Sequence, residues 1–200
     1  FVASATHSDK HGNHLSVIYE AWRGGYNYSY MMANDMNGDG YNYDALYIPT
    51  DAEVENGLFR FVSESDKTRF MDYVHNNDYL KDHQGEYAEA YSVYSPWVHR
   101  VDLSYKHDFK VNVGKTTHKL QLSCDIKNVL NLFNSEWGVS KVMNSTLNSG
   151  RILKFEGTDA QGYPTFSTPS AVNADTKTWI RNHAIGQCWY ASVGIKYIFN

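Results

Sequence analysis

The stretch CWYASVGIKYIFN alternates with a period of two: Trp189, Ala191, Val193, Ile195, Tyr197 and Phe199 fall on one face, and Tyr190, Ser192, Gly194, Lys196 and Asn200 on the other. Only Ile198 breaks the polar face. Successive side chains of a β-strand point to opposite faces, so the pattern predicts a strand with one apolar and one polar side. About a dozen such residues is long for a strand in water and matches the roughly 9 to 11 residues of a tilted strand crossing a membrane.

The same period recurs in VHRVDLSYKHDF, where Val101, Leu103, Tyr105 and Phe109 alternate with Arg100, Asp102, Ser104, Lys106 and Asp108, and His107 falls on the apolar side. After the link KVNVGKTT, HKLQLSCDIKNV sets Leu120, Leu122, Cys124 and Ile126 against Lys119, Gln121, Ser123, Asp125 and Lys127. Together these segments predict an antiparallel hairpin with its charges on one face. FVASAT and HLSVIYEAW, around the polar turn HSDKHGN, predict a second hairpin, and GRILKFEGTDAQGYPTF a further strand. The total is about seven strands, and an odd number does not close an up-and-down bacterial barrel.

The connections are unequal. Two are short turns, whereas residues 23–96 form one long excursion. Within it, SDKTRFMDYVHNNDYLKDH predicts a helix over 65–83, with Ser65 as N-cap, Gly85 as stop, and Phe70, Tyr73, Val74, Asn77 and Leu80 on one face. Long links at one end of the strands and short turns at the other are the asymmetry of outer-membrane barrels.

Composition narrows the class. A chain with 42% hydrophobic and 20% charged residues and a net charge of -4 is neither disordered nor built to bind nucleic acid. It contains no run of about 18 apolar residues, so a membrane span here has to be a strand in a closed barrel. Cys124 and Cys188 stand in no metal or redox spacing. The opening FVASATH reads as the continuation of a longer protein.

Candidate chemistry concentrates in NDMNGDGYNYDALYIP. Asp35, Asn37, Asp39 and Gly40 stand in the D-x-N-x-D-G order that wraps oxygen ligands around Ca²⁺, with Tyr41 offering its carbonyl and Asp44 a further carboxylate. An EF-hand places a bidentate Glu at position 12, which here is Leu46. The same residues also favour Asx-turns without metal. VGKTTH imitates the tail of a P-loop, but Phe109 stands where the first glycine belongs, in a hairpin turn rather than a strand-to-helix bend. His7, His11 and His14 lie in or beside a turn and suit solvent better than a metal. No serine, cysteine or histidine sits in a nucleophile setting, so no enzyme is expected. Tyr26, Tyr28, Tyr30 and Tyr43 are candidates for stacking on a sugar or peptide ligand, and equally for an aromatic girdle or loop core.

Taken in order, NDMNGDGYNYDALYIP, FMDYVHNNDYLKDHQGEYAEAYSVYSPWVHRVDLSYKHDF, DIKNVLNLFNSEWG and YASVGIKYIFN resemble the C-terminal end of the β-barrel of a TonB-dependent outer-membrane receptor, in the carboxypeptidase-regulatory-like or SusC-like branch. The resemblance covers nearly all of the 200 residues. It implies an all-β, antiparallel up-and-down transmembrane barrel fragment with one helix in a long extracellular loop over 23–96. It also implies a location in the outer membrane of a Gram-negative bacterium and a role in importing a nutrient with TonB-derived energy. Implied partners are membrane lipid, the rest of the barrel and plug of the parent chain, TonB through a plug this chain lacks, and a surface lipoprotein; nucleic acid is not among them. The alternative is a soluble β-sandwich binding module for a carbohydrate-like ligand, with a structural calcium loop.

Overall fold

The computed structural model describes residues 1–24 and 27–199, so Tyr26 lies outside the described residues. The chain is mostly β, with 46% strand in several open sheets and 18% helix. No helix among the described residues is long and apolar enough to cross a membrane. The chain forms two compact units, the first from 1–24, 96–142 and 181–200, the second from 25–95 and 143–180.

The first unit is a meander of five antiparallel strands: β1 (Val2–Ser8), β2 (Asn13–Arg23), β3 (Trp97–Val113), β4 (Thr116–Lys127) and β5 (Tyr190–Phe199), hydrogen-bonded in that order. Both expected hairpins form. The second turns more tightly than the expected KVNVGKTT link, because β3 runs 17 residues to Val113 and β4 resumes at Thr116. Gly114, at φ +64, makes that reversal possible.

Register aligns the faces across the sheet. Leu15 pairs with Tyr105, Tyr105 with Cys124 and Cys124 with Val193; the next rows on this face join Val17, Leu103, Ile126 and Ala191, and His107, Leu122 and Ile195. Tyr19, His99 and Trp97 lie on this face near one end, and Phe109, His118, Tyr197 and Phe199 near the other. From Trp97 to Phe109 the strand spans roughly 40 Å at about 3.3 Å per residue. The opposite face carries charge. Lys127 Nζ lies 2.7 Å from Asp102, and Asp108 accepts from Lys119 Nζ at 2.5 Å and Gln121 Nε2 at 2.7 Å, with His14 Nε2 at 3.1 Å.

The second unit has its own closed core. A five-stranded sheet orders Tyr43–Ala45, Met31–Ala33, Arg151–Thr158, Pro164–Ser167 and Arg60–Phe61, with parallel pairing between Arg151–Thr158 and Met31–Ala33. Helices α1 (Asp51–Glu55), α2 (Glu64–His75) and α3 (Asp78–Asp82) complete it. Phe70, Val74, Leu80, Leu46, Leu147 and Ile152 have no exposure.

Three expectations change. Arg151–Thr158 does not extend the long meander, which has five strands rather than about seven: Ile152 and Leu153 are both buried, so its first half belongs to the core of the second sheet, while Glu156 and Thr158 reach the surface. The single helix over 65–83 is two helices, because Asn77 adopts φ -112, ψ 117 and caps α3 through Oδ1 on Leu80 N at 3.1 Å. The cap of α2 is Ser63, whose Oγ accepts from Asp66 N, while the Ser65 hydroxyl accepts from Arg69. Gly85 lies beyond the end of α3 and donates to Ile48 O at 2.7 Å. The extra helix α1 is announced by TDAE, a capping box in which Thr50 and Glu53 satisfy each other's backbone amides.

Candidate functional site

The residues singled out in 34–44 form a chain of side-chain-braced turns. Asp35 Oδ1 accepts from Gly38 N at 2.6 Å and Asp39 N at 3.2 Å, and its Oδ2 from Gly40 N at 2.8 Å. Asn37 Oδ1 accepts from Asp39 N at 2.9 Å, Asp39 Oδ1 from Tyr41 N at 2.8 Å, and Asp44 Oδ2 from Met36 N at 2.8 Å. Asn37 Nδ2 donates to Asp39 Oδ2 at 3.2 Å. Backbone amides thus neutralise much of the mutual repulsion of the carboxylates. Among the described residues no group of three or more His, Cys, Asp or Glu is placed to hold a metal ion. This geometry fits Asx-turn chemistry.

Beside the loop, Tyr28, Tyr30, Tyr43 and Asp44 line one cleft of about 470 Å³, together with Tyr91 and Ser149. The size suits a small ligand or one residue of a larger one. Tyr43 keeps 49% of its surface exposed and packs on Tyr41 at 5.7 Å between centroids. Tyr28 meets Trp179 edge to face at 5.7 Å.

Tyr30 differs from these neighbours in being buried. Its hydroxyl lies 3.2 Å from Tyr73 Oη and 3.0 Å from Thr178 Oγ1, and accepts from Asn77 Nδ2 at 2.8 Å. Burial pushes both phenols above the ordinary tyrosine range, so the knot is neutral and fixes the back wall of the cleft. Tyr30 therefore holds the cleft in shape.

The sequence pattern does not single out Tyr91. It is 69% exposed at φ +59, a left-handed backbone that is unusual for a bulky residue, and its amide donates to Ser29 Oγ at 2.8 Å. No local pattern in EYAEAYSVYSP distinguishes it from Tyr87 or Tyr94. Its place depends on Ser29, 62 residues away.

On the first unit, DIKNVLNLFNSEWG folds as a knot at the end of β4. Asn128, at φ 53, donates its amide to Asp102 Oδ1 at 2.9 Å, and its Nδ2 to Gly138 O at 3.1 Å and Gln187 O at 2.8 Å. Arg100 joins through Nε to Gly138 O and through its guanidinium to Gln187 Oε1, both at 2.9 Å. A Cβ at Gly138 would fall 1.8 Å from Asn128 Oδ1, so only glycine fits there. This motif is structural: it ties the strand ends together.

No family model, curated protein or solved structure matches the chain.

Proposed function

We propose that the chain forms part of the wall of an outer-membrane transporter, whose second unit presents the tyrosine cleft to an incoming nutrient. The observation that carries this reading is the two-sided meander. Val193, Ile195 and Phe199 remain 79%, 73% and 73% exposed on one face, while ion pairs occupy the other. A continuous apolar sheet face of this extent is a liability in water and suits lipid. Rings near both ends of the band, Trp97 and Tyr19 at one and Tyr197 and Phe199 at the other, suit the two membrane interfaces. A β-sandwich would cover that face with a second sheet, which makes the soluble binding module the weaker reading.

The full-length protein should fractionate with outer membranes and run on gels as a heat-modifiable band after detergent extraction. A water-soluble monomer without heat modification would reject the wall reading and restore the soluble module.

Calcium at Asp35, Asn37, Asp39, Tyr41 and Asp44 is a separable question. The turn network predicts no heat on titrating Ca²⁺ into the protein. Heat that disappears in Asp39→Ala would instead seat the ion in the loop.

A further inference from the structure

The polar face of the meander is unevenly charged along the strands. Toward the two tight turns, the aligned rows hold Lys106, Lys110, Lys119 and Lys196 against one carboxylate, Asp108. Asp108 is already used by Lys119, Gln121 and His14. Among the described residues no ion pair reaches Lys106, Lys110 or Lys196, and all three are exposed. Lys110 also stands directly opposite Lys119 in the register. Like charges facing each other across a strand pair destabilise a sheet, so nothing in the stability of the sheet itself accounts for the arrangement.

We propose that this end of the polar face is a docking surface for an acidic polypeptide segment. Lys106 and Lys110 are about 13 Å apart along β3, and β3 and β5 lie about 10 Å apart across β4, by ordinary strand spacing. One phosphate or one small carboxylate cannot span that patch, whereas several Asp or Glu side chains on a chain can. Alternation puts the lysines on the face opposite the apolar one, so lipid covering the apolar face does not reach them. That last step rests on the wall reading; the charge argument does not.

The test uses the full-length protein in native membranes, in two parts. A water-soluble carbodiimide activates carboxyl groups in contact with amines; the lysine Nζ displaces the urea and an amide bond forms. Peptide mass spectrometry should find Lys106, Lys110 or Lys196 joined to Asp or Glu of an acid-rich peptide. In parallel, an amine-acetylating reagent should label these lysines at least about tenfold more slowly than the turn lysines Lys10 and Lys115, as expected where a partner covers them. The triple change Lys106→Gln, Lys110→Gln and Lys196→Gln should abolish the cross-link. Acetylation equal to that of Lys10 and Lys115, with no cross-link, would overturn the proposal. So would protection that vanishes on delipidation without any peptide adduct, because the occupant is then an anionic lipid. If the protein proves soluble yet the cross-link forms, the wall reading fails and the docking surface stands.

Discussion

In the unit built from 25–95 and 143–180, Phe70, Val74, Leu80 and Leu147 have no exposure, and three helices and a sheet close around them. In the five-stranded meander, Ile195 keeps 73% of its surface and Leu120 and Leu122 keep 39% and 37%. Both regions are rich in large apolar side chains, yet the first gathers them into a buried cluster, whereas the buried apolar residues described in the meander are few, Ala21 and Val98 among them. A region that has spent its apolar residues on itself is stable by internal packing, whereas one that displays them leaves them for something outside its own fold to cover. The same contrast separates the candidate sites: the tyrosine cleft belongs to the closed unit, and the lysine-rich docking face to the open sheet.

The contrast breaks most easily in the closed core. Phe70→Ala should destabilise the second unit by about 3–5 kcal/mol, because it opens a cavity among rigid neighbours. Ile195→Ala, on the open face, should cost under about 1 kcal/mol. Denaturant unfolding in a zwitterionic detergent measures both, and similar losses would show that the sheet face is packed against protein.

Val193→Arg, in the Tyr105 row close to the middle of the apolar band, sharpens the comparison from the other side. In lipid vesicles it should cost roughly 2–4 kcal/mol, as charge does on a lipid-facing strand near the midplane. An unchanged stability would mean that the face meets water.

Asn77→Ala removes the α3 cap and the donor that joins Tyr30 to Thr178, and should cost about 2 kcal/mol. Near-ultraviolet circular dichroism should register the freed tyrosines, leaving the meander unaffected.

The smallest expected effect is a pH dependence at Asp66 in the second unit. Burial raises the pKa of Asp66, but hydrogen bonds from Ser63 and Thr168 and the Arg69 guanidinium outweigh it, leaving the carboxyl below its usual range. A depressed folded pKa means the stabilisation is present above the unfolded value near 4 and is lost as pH falls through the lower folded value. Hydrogen exchange in α2 should accelerate in that acid window, and Asp66→Asn should remove the dependence.

The period-two pattern determined both hairpins, β5, and the apolar and polar faces, because side-chain alternation along a strand is local. The Asp, Asn and Gly residues likewise determined the turn-forming character of 35–40, since each Asx side chain binds an amide a few residues away. Tertiary structure alone decided that Arg151–Thr158 pairs in parallel with Met31–Ala33, that Asn77 bends away from α2 toward Tyr30, and that Tyr91 faces the cleft rather than standing free. Each of these depends on a partner 47 to about 120 residues distant, and hydrophobic periodicity records which face is apolar but not what comes to cover it.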